Sequence, residues 1–312
     1  MIISASRRTD IPSYYSEWFF NRIKEGYVCV RNPMNIHQIG KISLSPDVID
    51  GIVFWTKNPT PMLARLDEIS QYNYYFQFTV NSYGTDLETN VPSKNDVIIP
   101  TFQKLSKQIG KEKVVWRYDP ILFNEKYTLK YHLTYFQMMA DKLANYTEKC
   151  TVSFIDLYKN IQKKMDSLKI VVPSLERQEE LMAGFSEIAK EHGIYIDTCA
   201  EKIDFDKFGI KHAHCIDRER LERIGNYKLD VDKDKNQRDE CGCVSSIDVG
   251  SYNTCKNGCL YCYANFSEKT VDSNYLKHNP ESPLLFGEVE GDDVVKERII
   301  HSFRNKQLRL FD

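Results

Sequence analysis

Gly51-Ile52-Val53-Phe54-Trp55-Thr56, followed by residues 60–69 and then Tyr74-Tyr75-Phe76-Gln77-Phe78-Thr79-Val80, reads as strand, helix, strand. Both apolar runs are near-continuous, the pattern of strands covered on both faces. Asn58 before Pro59 suits a helix start between them. The unit recurs along the chain. Strand-like runs at residues 2–6, 113–118, 150–155 and 194–199 are interleaved with helix-like stretches at 15–25, 97–109, 131–145 and 175–191. Such alternation makes parallel β/α units. It predicts an α/β fold, a complete or partial (β/α) barrel of the TIM type, with a doubly wound open sheet as the alternative.

In either architecture, function sits at the C-terminal ends of the strands, and here those ends are polar. They read Ser4-Ala5-Ser6-Arg7-Arg8-Thr9-Asp10, Trp55-Thr56-Lys57-Asn58, Thr79-Val80-Asn81, Trp116-Arg117-Tyr118-Asp119, Ile155-Asp156 and Asp197-Thr198-Cys199-Ala200-Glu201. As a set they predict one polar mouth for a substrate. Taken singly, each also suits a loop or a helix cap. Arg117 and Asp119 share a strand face, as an ion pair or a substrate anchor.

The chain has 312 residues, 42% of them hydrophobic, and a formal net charge of -2. That allows one large core or two small ones and offers no global basic field for nucleic acid. No apolar run reaches membrane-spanning length, and the first residues lack the order of a secretion signal. Nine cysteines, concentrated toward the C-terminus, fit a reducing cytosol and metal ligation better than a disulfide frame. A cytoplasmic protein with no membrane partner is expected. The charged stretch at residues 230–240 reads as a linker. It divides a barrel core at 1–229 from a linker, strand and cysteine loop at 230–270. A C-terminal segment with helix and tail follows at 271–312.

The cysteine loop is Thr254-Cys255-Lys256-Asn257-Gly258-Cys259-Leu260-Tyr261-Cys262-Tyr263-Ala264-Asn265. C-x3-C-x2-C lets one short loop deliver three thiolates to one [4Fe-4S] cluster, leaving the fourth iron open to a ligand. A purely electron-transferring cluster normally has four cysteine ligands. The alternative is a zinc knuckle drawing on Cys241, Cys243, Cys255, Cys259 and Cys262.

The tripod resembles the signature of the radical S-adenosylmethionine superfamily. Ser251-Tyr252-Asn253-Thr254-Cys255 through Tyr261-Cys262-Tyr263-Ala264 looks most like the spore photoproduct lyase branch, as does Trp55-Thr56-Lys57. The whole chain also resembles domain-of-unknown-function family 1848, whose members carry this cysteine loop near the C-terminal end. The resemblance implies a [4Fe-4S] cluster on Cys255, Cys259 and Cys262, S-adenosylmethionine as cofactor, and a 5'-deoxyadenosyl radical that abstracts hydrogen from the substrate. It implies an electron donor such as flavodoxin or ferredoxin. In the superfamily the cysteine loop follows the first barrel strand, but here it follows residues 244–249. The barrel therefore looks circularly permuted, with residues 2–6 in the second strand's place. A Gly-Gly-Glu turn that binds the methionine amino group in the superfamily is missing. Ser6, Arg7 and Asp10 stand at the matching place. Tyr261 is expected to set its backbone near the adenine.

Four further cysteines, Cys199, Cys215, Cys241 and Cys243, suggest a second [4Fe-4S] cluster, with zinc or free thiols as alternatives. Cys199, beside Glu201 at the mouth, has a rival role as a catalytic hydrogen-atom donor, by the lyase resemblance. Cys29 and Cys150 read as packed thiols. His212 and His214 alternate along a strand-like run and share a surface face.

The chain ends Gln307-Leu308-Arg309-Leu310-Phe311-Asp312. Gln307, Leu308, Leu310 and Phe311 resemble the peptide by which bacterial replication and repair proteins dock on the DNA sliding clamp. The alternative is a helix over residues 293–311 packed on the barrel. The tail and the lyase-like loop both point toward DNA repair, with a DNA lesion as substrate. The competing class is a non-catalytic zinc- or iron–sulfur-binding adaptor associated with DNA or the clamp.

Overall fold

Each long apolar run becomes a strand of one parallel sheet. The computed structural model describes residues 1–305. Its strands are β1 (Ile2–Ala5), β2 (Tyr27–Asn32), β3 (Asn35–Ser43), β4 (Gly51–Thr56), β5 (Tyr74–Thr79), β6 (Val114–Ile121), β7 (Lys149–Phe154), β8 (Tyr195–Thr198), β9 (Lys211–His212), β10 (Ile247–Asp248) and β11 (Val294–Glu297). Its helices are α1 (Ile11–Tyr14), α2 (Ser16–Glu25), α3 (Ile99–Ile109), α4 (Leu129–Leu143), α5 (Gln162–Ser167), α6 (Leu175–Glu191), α7 (Arg218–Gly225) and α8 (Glu268–Leu276). The stretch Thr60–Ile69, read as helix, winds as a 3-10 helix.

The main sheet runs β10-β1-β4-β5-β6-β7-β8-β9, with every neighbouring pair parallel. Alternate side chains point to opposite faces. Phe54, Phe76, Phe78 and Trp116 face the covering helices in the main core. Phe136 of α4 stacks on Phe185 of α6 and on Trp116, with ring centroids 3.9 and 4.9 Å apart. Each such buried ring contributes roughly 1.5–3 kcal/mol. Thr128 and Ser174 start these helices by accepting the N–H groups of Tyr131 and Arg177.

The other face, with Ile2, Val53, Tyr75 and Val115, is the inner one. There the sheet curls until its far edge meets its middle: Tyr75 Oη and Gln77 Nε2 both donate to Cys215 O, at 2.6 and 2.8 Å. A complete barrel does not form, because no ladder joins β9 to β10 among the described residues. Both edge strands have only two residues, and the segment before β10 fills the gap, where Val244 N–H donates to Ile216 O (3.2 Å).

A second sheet, β11-β3-β2, joins a hairpin to a late strand. Of the helix considered for residues 293–311, the described part, 293–305, does not form. Val294 and Val295 instead pair in parallel with Gln38 and Ile39 of β3, as β-branched residues favour. Beyond β11 the chain returns beneath β1, and the Met1 amino group donates to His301 O (3.0 Å) and pairs with the Asp50 carboxylate. No helix among the described residues is long and apolar enough to cross a membrane.

Candidate functional site

The C-terminal ends of β1, β4, β5, β6, β7, β8 and β10 open onto one cavity of about 1080 Å³. Ser6, Trp55, Asp119, Ser153, Cys199 and Asp248 line it from the main sheet. Arg31, Ile39 and Lys296 close one side from the small sheet.

Cys255, Cys259 and Cys262 all reach this cavity. The loop that carries them is held from two directions. Against α1 and α2, Tyr15 Oη donates to Thr254 O (2.6 Å) and Tyr14 Oη to Asn257 Oδ1 (3.1 Å). On the other side Leu260 N–H donates to Leu87 O (2.9 Å) and Asn90 Nδ2 to Lys256 O (2.8 Å). Gly258 adopts a left-handed backbone (φ 65°), and a Cβ there would sit 3.0 Å from Asn90. Glycine is the residue that fits both demands.

Burial pushes all three thiols above the usual range, Cys259 to about 12 despite nearby Lys57. Thiols become metal ligands when a cation draws off the proton. Backbone N–H groups of Ala264 and Asn265 already lie against the Cys262 sulfur. A single zinc, with Zn–S near 2.3 Å, would gather its sulfurs to within about 4 Å of one another. Among the described residues, the three sulfurs are not all within 4.8 Å of one another.

Beneath the loop lies a buried charge network. Lys57 Nζ donates to Glu88 Oε1 (2.7 Å) and Tyr261 Oη (3.0 Å), and Asn81 Nδ2 donates to Tyr261 Oη (3.2 Å). Glu88 also pairs with Lys94. Burial opposes charge on Glu88, but Lys57 and Lys94 outweigh it and hold the carboxyl below its usual range. The Tyr261 ring is therefore an anchor for the cysteine loop, while the residue still lines the cavity.

Ser6, Arg7 and Asp10 part company. Asp248 accepts from Ser4 Oγ (2.9 Å), Ser6 Oγ (2.5 Å) and Arg7 N–H (2.8 Å), tying the end of β1 to β10. The Arg7 guanidinium donates to Ser246 Oγ (3.3 Å) and lies 5.7 Å from the Trp55 ring. Arg7 Nε and Trp55 Nε1 are buried without a hydrogen-bond partner in the protein. Asp10 does not line the cavity. Its carboxylate caps α1 through Ser13 N–H (3.1 Å) and accepts from Lys57 N–H (2.7 Å) and Asn257 Nδ2 (2.9 Å).

The second cysteine group shares the cavity, which Cys199, Cys215, Cys241 and Cys243 all line. Cys199 and Cys215 sulfurs are 3.1 Å apart, and Arg117 Nη1 is 3.0 Å from Cys215 Sγ. Neighbouring Cys199 and Cys243, then Arg117, hold the Cys215 thiol well below its usual range against the effect of burial. Arg117 is also paired with Asp119 through Nε (3.0 Å) and Nη2 (2.7 Å). Burial pushes Glu201 up to about 7, and its carboxyl accepts from Phe154 N–H (2.7 Å). Cys29 and Cys150 are buried apart from both groups. His212 and His214 are exposed, with Ala213 buried between them. Gln307, Leu308, Leu310 and Phe311 lie outside the described residues.

Sequence reasoning missed Glu88, Asp248 and the basic side chains of the small sheet. Asp248 stood in the strand leading to the loop, beside a serine-rich run that gave a usable signal. Glu88 had none.

A curved parallel α/β sheet with a thiol-lined cavity at its strand ends defines the class of protein. The chain belongs to the family described as domain of unknown function DUF1848, whose profile matches residues 2–264. No curated protein matches. Among solved structures, a protein from Bacteroides thetaiotaomicron proposed to be an alpha-L-fucosidase is similar at 11% identity, covering 73% of this chain and 83% of that one, with a TM-score of 0.28.

Proposed function

We propose that this protein is a radical S-adenosylmethionine enzyme built on a partial, circularly permuted barrel. The observation that carries the reading is the meeting of Cys255, Cys259 and Cys262 with Arg7 and Trp55 at one cavity. The permutation is supported by β10, the strand that feeds the cysteine loop, lying parallel beside β1. When bound, a [4Fe-4S] cluster with S-adenosylmethionine would supply a 5'-deoxyadenosyl radical for hydrogen abstraction. Cys255, Cys259 and Cys262 would hold the cluster. Arg7 and Trp55 offer two buried N–H donors without partners, which suit the carboxylate and other acceptors of the cofactor. Asp248 fixes the Arg7 backbone, and Asp10 fixes the cysteine loop through Asn257. The cavity is lined by eight arginines and lysines against four aspartates. This excess favours an anionic substrate, the class to which a nucleic-acid lesion belongs. A low-potential donor such as flavodoxin or ferredoxin would supply the electron.

The test is anaerobic purification with iron and sulfide assay, then incubation of the dithionite-reduced protein with S-adenosylmethionine. The expected product is 5'-deoxyadenosine, lost when Cys255, Cys259 and Cys262 are replaced by Ala. A colourless protein with stoichiometric zinc and no cleavage would overturn the reading.

A further inference from the structure

Four thiols outside the C-terminal tripod meet in the same cavity, and only Cys199, as a hydrogen-atom donor, has another task in the proposed reaction. They come from three separate places. Cys199 follows β8, Cys215 follows β9, and Cys241 and Cys243 lie on the segment that fills the gap before β10. The Cys199 and Cys215 sulfurs are 3.1 Å apart, and Cys241 and Cys243 pack in the same cluster of side chains. N–H donors point at them, Arg117 Nη1 at 3.0 Å from Cys215 and Ile216 N at 3.3 Å from Cys243. Arg7 lines the cavity together with Cys215, Cys241 and Cys243. Cys29 and Cys150 lie in other clusters of the core, apart from this group.

We propose that Cys199, Cys215, Cys241 and Cys243 hold a second metal centre, an iron–sulfur cluster ligated by four thiolates. Four thiolates bring more negative charge than the metal neutralises, and Arg7 and Arg117 stand where that excess would fall. Zinc would need all four sulfurs within about 4 Å of one another. Here no three of them lie within 4.8 Å of one another, among the described residues. Four thiols drawn from three segments offer the ligand set of a centre of several metal atoms, whose binding would part Cys199 and Cys215 from their 3.1 Å contact. Four protein ligands leave no iron open, so this centre stores or passes electrons rather than binding substrate. The assignment does not depend on the role of the tripod.

Two complementary variants test it. The Cys255→Ala, Cys259→Ala, Cys262→Ala protein, purified and reconstituted anaerobically, should retain about four irons and four sulfides per chain. Its reduced form should give the electron paramagnetic resonance signal of a cluster. Cys241→Ser with Cys243→Ser in the otherwise native chain should lose that same complement and keep the tripod's iron. The second variant decides the matter if the first does not fold. One zinc per chain in place of iron overturns the cluster. Native iron content unchanged by Cys241→Ser and Cys243→Ser overturns it as well. So does a metal-free group with a Cys199–Cys215 disulfide or four titratable thiols.

Discussion

At the scale of single residues, the informative atoms are buried N–H groups that the protein leaves without partners. Arg7 Nε and Trp55 Nε1 are such groups, and both residues line the cavity. A buried donor without an acceptor costs about 1–3 kcal/mol, so a ligand that supplies one is favoured there. Arg7→Ala is therefore expected to weaken S-adenosylmethionine binding roughly 10- to 100-fold, the equivalent of about 1.5–3 kcal/mol for a charge-assisted bond. The tripod's iron should stay at the native level, because the guanidinium is not a ligand. Equilibrium binding with parallel iron assay checks both, and native affinity in the variant would remove Arg7 from the cofactor site. The cysteine tripod stands out in the sequence because its three thiols fall within eight residues, and the structure brings all three to the cavity. Glu88 was not legible, since its partner Tyr261 stands 173 residues away and a lone glutamate in a loop carries no pattern. Asp10 stands where the superfamily resemblance puts a group for the methionine amino end. Its oxygens are instead occupied by Ser13, Lys57 and Asn257, contacts that only the folded chain creates.

At the scale of elements, the six longer strands of the main sheet were legible as apolar runs, because each is covered on both faces. β9 and β10 overlap the strand-like runs at residues 212–214 and 244–249 but pair over only two residues each, since the chain leaves the sheet at both edges. The β2–β3 hairpin was missed because Met34 and Ile36 near its tip are exposed, which blurs any alternation. α4 shows how an element can carry a pH response. His132 is fully buried on it, between Tyr118 Oη at Nδ1 (2.9 Å) and Leu122 O at Nε2 (2.9 Å). A carbonyl at Nε2 requires the proton there, so Nδ1 accepts and the ring is neutral. Burial lowers its pKa to about 4. The unfolded chain takes up a proton near pH 6.5, whereas the folded chain resists until about pH 4. The contribution is intact above pH 6.5 and is lost as pH falls toward 4, by about 3 kcal/mol in all. Thermal unfolding measured between pH 7 and pH 4.5 should fall more steeply for the native chain than for His132→Gln. Parallel slopes would show that His132 titrates normally.

At the scale of the whole molecule, the two ends of the sheet do different work. In open α/β sheets ligands gather at the carboxyl ends of strands, which leaves the amino ends for stability. No local sequence signal announces that division, because β10 reaches β1 across more than 240 residues of chain. At the amino ends Asp50 is fully buried and joins three parts of the chain. It pairs with the Met1 amino group, accepts from Ser302 Oγ (2.5 Å) and Phe303 N–H (2.7 Å), and lies 3.3 Å from Arg304 Nε. Removing one partner of a buried ion pair leaves the other charge uncompensated, at a cost of about 3–5 kcal/mol. Asp50→Ala should therefore lower thermal stability by that order and free residues 301–305 for proteolysis. The cysteines sit at the opposite end of the strands, so iron content per folded chain should not change. Differential scanning calorimetry, limited proteolysis and iron assay on one preparation distinguish the outcomes. Loss of iron in step with stability would mean that the cavity and the amino-terminal seam form one cooperative unit. Loss of stability alone would show that the seam holds the sheet in shape while the cavity keeps its own local order.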